Sequence, residues 1–265
     1  IRHTGASSDA VTLASDGTCT AKITNNLSNR NLVINGSMIC AQRGVSSTST
    51  GYQTVDRWQM EVSGANAAFT QSPHALSSSD TGPYEKGFRK SYHILNAGQS
   101  GPDAGDYARI LYTLEAQDVA NSGWNYKSAS SYITVSFWVK SSVGTTYGIS
   151  LQSQDGTGQN YTAPFTLSAD TWTKVTKTIP GLASGNIDMA NDTGSGLMLA
   201  FQIFYGTNYT DSGFTNNAWA AYTASSQAND MATTWWTTAN ATFEVTGLQL
   251  EVGDVATDFE HRSYG

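Results

Sequence analysis

Six aromatic side chains, Tyr209, Phe214, Trp219, Tyr222, Trp235 and Trp236, crowd into residues 206–239 among Asn, Thr and Ser. The C–H faces of a sugar ring lie on Trp and Tyr rings, and its hydroxyls need Asn, Asp, Gln or Thr partners. The set therefore suits a glycan, and low charge with many side-chain amides suits a neutral or weakly charged one. The competing reading is that these rings pack the stretch onto the rest of the fold. Trp235 and Trp236 adjoin, so in extended chain they point opposite ways, one buried and one exposed. Trp124 and Tyr126 form a second, weaker patch. Thirty-four residues without clear periodicity exceed a plain connector, and the aromatic content argues for order.

Catalytic constellations are weak. The four histidines, His3, His74, His93 and His261, show no metal-binding spacing, and no phosphate-binding or nucleophile-elbow motif occurs. A glycosidase needs two carboxylates, and Asp103, Asp106 and Glu115 are examples of what is available. Any chain with 21 acidic residues offers such groups, so the reading is of a protein that is not an enzyme and needs no cofactor. The net charge of −7 and scattered lysines and arginines argue against nucleic acid. No apolar run reaches the roughly 18 residues of a membrane span, so no membrane insertion is expected. Cys19 and Cys40 have no metal or redox spacing and read as free thiols.

The elements that must position these residues are strands. Thr, Tyr, Trp and Val favour strands, and Gly, Asn and Ser favour turns. Residues 9–23 alternate around Ser15-Asp16-Gly17 and read as a hairpin. Strands are expected near 31–38, 53–63, 67–72, 87–95, 107–116, 131–140, 146–154, 160–167, 172–179, 197–205 and 241–252, with one helical turn over 115–120. The clearest is Ile133, Val135, Phe137 and Val139, facing one way. In the last strand Thr246-Gly247 breaks the period of two and predicts a bulge. The sum is an all-β chain forming a two-sheet sandwich.

Both ends of the main region carry a motif. The opening is Asn31-Leu32-Val33-Ile34-Asn35-Gly36-Ser37-Met38-Ile39-Cys40-Ala41-Gln42-Arg43-Gly44, followed by Asp56-Arg57-Trp58. The close is Thr246-Gly247-Leu248-Gln249-Leu250-Glu251-Val252-Gly253, then Ala256-Thr257-Asp258-Phe259-Glu260-His261-Arg262. This bracket resembles a module of bacteriophage tail-fibre and receptor-binding proteins. Ser136 to Lys140 and Thr171 to Val175 resemble strands of jelly-roll carbohydrate-binding modules. The resemblance implies a jelly-roll β-sandwich over 31–265, preceded by a β-hairpin stalk segment over 1–30 that joins three chains. It implies a virion protein, a homotrimeric tail-fibre head that attaches to host surface polysaccharide and contacts other tail or head proteins. A structural head fibre or capsid decoration protein and a polysaccharide depolymerase are the alternatives.

With the termini together, Asp56 would pair with Arg262 and Arg57 with Glu260, locking the tail to the domain. The competing reading is a receptor-facing charged cluster. The related jelly rolls often hold a structural Ca²⁺ near these ends, but Ser37 and Thr246-Gly247 stand where its acidic ligands belong, so no metal is expected.

Overall fold

In the computed structural model of the chain, residues 30–184 and 186–261 are described, together with 4, 11–13, 15–17 and 19–21. β1 (Val11–Leu13) and β2 (Cys19–Ala21) pair antiparallel, Val11 opposite Ala21 and Leu13 opposite Cys19, which is the expected hairpin. The main region runs β3 (Trp58–Ser63), β4 (Phe69–Ala75), β5 (Lys90–Asn96), β6 (Tyr107–Glu115), α1 (Ala116–Ala120), β7 (Tyr132–Ser141) and β8 (Thr146–Ser153). It continues through β9 (Gln159–Thr166), β10 (Thr173–Pro180), β11 (Ser195–Tyr205), β12 (Trp219–Ala221), α2 (Thr234–Thr237) and β13 (Ala241–Val252).

Two antiparallel sheets face one another. One has the order β10-β7-β13-β5-β4 and the other β12-β9-β8-β11-β6-β3. Alternation sends every second side chain inward. Ile133, Val135, Phe137 and Val139 meet Ile149, Leu151, Leu199 and Phe201 between the sheets. The rings of Phe137 and Phe201 lie edge to face at 4.9 Å, a favoured aromatic geometry. The result is the expected all-β jelly-roll sandwich. The bulge at Thr246-Gly247 is present as a register shift between Thr246 and Gln249, with Gly247 at φ +62.

The first expected strand is not one. Residues 31–38 form an irregular segment in which side chains replace a strand neighbour. Asn31 Nδ2 donates to the Leu248 carbonyl at 3.1 Å, and its Oδ1 accepts from the Val33 and Leu250 amides at 3.0 Å. The Ile34 amide donates to the Tyr112 hydroxyl at 2.8 Å. Asn35, at φ +59, bonds the Cys40 and Asp56 carbonyls and the Cys40 amide. A Cβ on Gly36 would stand 2.0 Å from the Leu248 carbonyl oxygen, so this close approach requires glycine. The segment is therefore a polar clasp on β13. The expected strand at 53–63 begins only at Trp58, after Arg57 turns at φ +72.

Candidate functional site

The closing tail folds back onto β13. Gln249 Nε2 donates to Glu251 at 2.8 Å, its Oε1 accepts the Glu260 amide at 2.8 Å, and Glu251 accepts the Thr257 amide and hydroxyl at 2.9 and 2.7 Å. Glu260 takes the Asn31 amide at 3.1 Å, and Arg30 reaches the Asp258 carbonyl and, at 3.9 Å, the Glu251 carboxylate. These bonds tie the tail to β13 and to residues 30 and 31. Arg57 lies 4.0 Å from Glu115, at the end of β6, and not on Glu260. Asp56 lies 3.9 Å from Arg43 and accepts the Gln42 amide. Arg262 lies outside the described residues, as does the side chain of Cys19; Cys40 is a free thiol.

At the other end of β13, residues 206–239 organise into a strap. It adds β12 to the edge of β9, Trp219 opposite Tyr161, and then returns across the outer face of the six-stranded sheet. The Gln227 carbonyl is its anchor, accepting Thr162 Oγ1 at 2.7 Å and Asn160 Nδ2 at 3.2 Å, side chains that point outward from β9. The Asn217 amide bonds the Thr162 carbonyl and the Tyr222 amide the Gly158 carbonyl, both at 2.8 Å.

The six aromatics do not share one fate. Trp235 and Trp236 are both fully buried, because they lie on the helical turn α2 and not in extended chain. Trp235 Nε1 donates to the Thr242 carbonyl at 3.1 Å, Trp236 packs on Phe204 at 4.9 Å, and both meet Phe69. They are core. Trp219 is half-buried, its Nε1 tied to the Pro180 carbonyl at 2.6 Å. Phe214 is half-buried beside Asn229, which bonds its carbonyl. Tyr209 is half-buried against Tyr107 and Tyr205, at 5.3 and 5.9 Å. Tyr222 is exposed. Trp124 is buried in the core, with Tyr126 against it at 6.0 Å.

Next to Tyr205 is a polar seam. Arg109 grips Glu61 through Nε at 3.0 Å and Nη2 at 2.7 Å, and its Nη1 reaches the Tyr205 hydroxyl at 3.4 Å. Burial alone would lower the Arg109 pKa, but the Tyr205 hydroxyl and the Glu61 carboxylate hold it above its ordinary value. Burial pushes the pKa values of the Tyr205 and Tyr107 hydroxyls up, so both stay neutral.

Between the strap and the sheet lies a cleft of about 380 Å³. Its floor is Thr146, Gly148, Thr162, Pro164 and Gln202, from β8, β9 and β11. Its wall is Asn216 and residues 228–232. Asn216 donates to Asn229 across the wall. Asp230 is the one charged side chain in the lining, and it accepts from Thr210 at 2.7 Å. A smaller cleft of about 190 Å³ shares Asp230 and Met231 and borders Tyr205 and Thr210. Sequence reasoning missed these floor residues. Their signal was the polar alternation of Asn160 and Thr162 against Tyr161 and Ala163.

Of the three acidic residues named as examples for a hydrolytic pair, two lie together and the third lies far off. Asp103 and Asp106 share one turn, the Asp103 amide bonding Asp106 at 2.8 Å. Glu115 ends the nine-residue β6 that starts after Asp106, roughly 30 Å away at 3.3 Å per residue. At the positions where the resemblance would place Ca²⁺, Thr246 Oγ1 donates to the Lys90 carbonyl and Ser37 brings no carboxylate, so these residues do not fit the ion.

No protein-family model and no curated protein matches the chain. Solved structures do. The enzymatically active domain of tailspike protein 4 of bacteriophage CBA120 aligns over 84% of this chain at 12% identity and TM-score 0.41, and the match spans 21% of the tailspike chain. A CBM22 xylan-binding domain from Paenibacillus barcinonensis aligns over 80% of this chain and 95% of its own, at 14% identity and TM-score 0.37. The N-terminal cellulose-binding domain of a Cellulomonas fimi glucanase aligns over 82% and 99%, at 10% and 0.38.

Proposed function

We propose that this chain is a virion fibre protein whose distal cleft binds a host surface glycan, without catalysis. The observation that carries the reading is the cleft itself: a floor with Thr146, Thr162 and Gln202 and a wall with Asn216 and Asn229, so that hydroxyls and amides line one space with no Lys or Arg among them. Such a lining can partner sugar hydroxyls. The bracket motifs, which resemble the phage tail-fibre module, supply the virion context. Position supports it too. The Leu32 amide meets Leu250 at one end of β13, while Trp235 meets Thr242 at the other. Eight residues of strand, roughly 26 Å, thus separate the opening of the main region from the end of β13 beside α2. A homotrimer joined through the hairpin would present three such clefts, and linkage raises avidity by about 10²–10⁴ over one weak site.

The test is binding of the full chain to host cells and to a neutral-glycan array, with Asn229→Ala and Tyr222→Ala beside the native chain. Loss of about tenfold or more in a variant that keeps its melting temperature supports the reading. A folded oligomer that binds no glycan overturns it in favour of a structural head-fibre or decoration protein. The burial of Trp235 and Trp236 favours that second reading, because it removes two of the six expected platforms.

A further inference from the structure

The outer face of the five-stranded sheet holds a second cleft, of about 250 Å³. Its floor is Ser136 and Trp138 of β7, Lys174 of β10 and the bulge at Gly247. One wall is Lys86 and Phe88; the other is the closing tail, Asp258, Phe259 and His261. The tail explains the cleft's shape. Phe259 packs edge-on to Phe88 at 4.8 Å, and His261 Nε2 sits 2.9 Å from the Lys86 carbonyl. The Trp138 ring is held in place by Gly82, where a Cβ would stand 2.7 Å from it. It remains half-exposed, a platform already fixed before any ligand arrives.

The charges here run against the rest of the protein. The chain carries −7, yet this cleft collects Lys86, Lys174 and His261 against Asp258. Among the described residues, neither Lys86 nor Lys174 has a carboxylate within 4.0 Å. Lys127 and Lys140, by contrast, are paired with Asp188 and with Asp80 and Glu244. Both lysines are exposed.

We propose that this cleft is a second glycan site, specific for one sugar unit carrying an anionic group. The ring face would lie on Trp138 and Phe259, as C–H groups lie on aromatic faces. The anion would bridge to the ammonium groups of Lys86 and Lys174 through charge-assisted hydrogen bonds. The volume is below the range of about 300–1,000 Å³ of drug-sized sites, which fits one sugar unit. The distal cleft holds no cation and has Asp230 in its lining, so an acidic sugar is repelled there and attracted here. The assignment does not depend on the distal cleft binding anything.

The experiment titrates the full chain with galacturonate, glucuronate and N-acetylneuraminate, with galactose as the neutral control. Galactose 6-phosphate and inorganic phosphate are the phosphate arms. Tryptophan fluorescence and calorimetry are the readouts. The expected result is binding of at least one acid that weakens with salt and exceeds galactose by about tenfold or more. Lys174→Gln and Lys86→Gln, both exposed changes, each weaken it about tenfold, and Trp138→Ala removes the fluorescence response. Asn229→Ala in the distal cleft leaves it unchanged, which separates this assignment from the distal one. Tighter binding of galactose 6-phosphate than of the acids names phosphate as the anion and keeps the site. The assignment is overturned by equal affinity for galactose, by equal affinity for inorganic phosphate alone, by unchanged affinity in Lys174→Gln, or by binding lost in Asn229→Ala. It is overturned as well when no sugar binds and Trp138 is shielded from acrylamide in the assembled chain, which makes the cleft a contact between subunits.

Discussion

Replacing Asn31 by alanine isolates the clasp that the opening motif builds. The side chain is 5% exposed and makes three hydrogen bonds, to the Leu248 carbonyl and from the Val33 and Leu250 amides, at 3.0–3.1 Å. Alanine orphans all three backbone groups beside the last strand. Each buried orphan costs about 1–3 kcal/mol. Water entering the space vacated by the amide offsets part of that, so the sum comes to about 3–5 kcal/mol. Against a typical stability of about 5–15 kcal/mol this is a large share. At about 2–4 °C per kcal/mol for a domain of this size, the melting temperature falls by roughly 6–20 °C. Urea unfolding followed by tryptophan fluorescence measures the free energy, and calorimetry the midpoint. Cell binding is measured well below the lowered midpoint and stays at the native level. A loss under about 1 kcal/mol would refute the clasp, since the three groups would then have to be satisfied elsewhere. Lost binding in a stable variant would instead make the opening motif part of a receptor-facing cluster.

Three further outcomes follow from the packing. Trp235→Ala removes a fully buried ring and its bond to Thr242, and unfolding in urea should show a loss of about 3–5 kcal/mol; a neutral effect would mean α2 is not docked as described. Gly247→Ala places a Cβ 2.6 Å from the Phe88 ring at a backbone φ of +62, so about 1–3 kcal/mol should be lost by the same assay, with no loss if the bulge can relax. Burial works to raise the Asp80 pKa, but bonds from the Ser77 amide, the Trp172 indole and Lys140 outweigh it and bring it to about 2. A depressed carboxylate stabilises the fold above its unfolded pKa of about 3.9, and that contribution is lost as pH falls toward 2. Asp80→Asn should therefore melt lower than the native chain at pH 6 and converge with it near pH 2; a difference that persists at pH 2 would count against the linkage.

The strands were legible where one face is buried and the period is two. Ile133, Val135, Phe137 and Val139 carry that pattern in four alternate residues, and β7 is where they place it. The segment 31–38 shows why pattern alone misleads. Leu32, Val33 and Ile34 make a short apolar run that reads as a strand, but side chains of Asn31, Asn35 and Tyr112 bond much of this backbone, and no local signal distinguishes a clasp from a strand. The Trp235-Trp236 pair was misread for a related reason. Adjacent residues diverge in extended chain, while a helical turn under β13 buries both. The distal cleft is less legible still. Thr146, Thr162 and Gln202 come from three strands and Asn229 from the strap, so their meeting depends on sheet order, which no stretch of sequence shows.

The bracket motif and the clefts answer to different physical demands. Asn31, Gly36, Gln249, Glu251 and Glu260 are spent on satisfying buried backbone and tying the tail to β13, which leaves them unable to reach a ligand. That work closes the sandwich at the Leu248–Leu250 part of β13. It also lays Phe259 and His261 beside Lys86, so the same tail that secures the fold forms one wall of the cleft on the five-stranded sheet. At the far end of β13, the strap is held by its own backbone on Thr162 and Asn160, while Asn216 and Asn229, bonded to each other, line the other cleft. A chain built this way can vary the strap without loosening the clasp, because no bond of the clasp passes through it. Recognition at the distal cleft is thus separable from stability, whereas any change in the tail must alter both the fold and the cleft beside it.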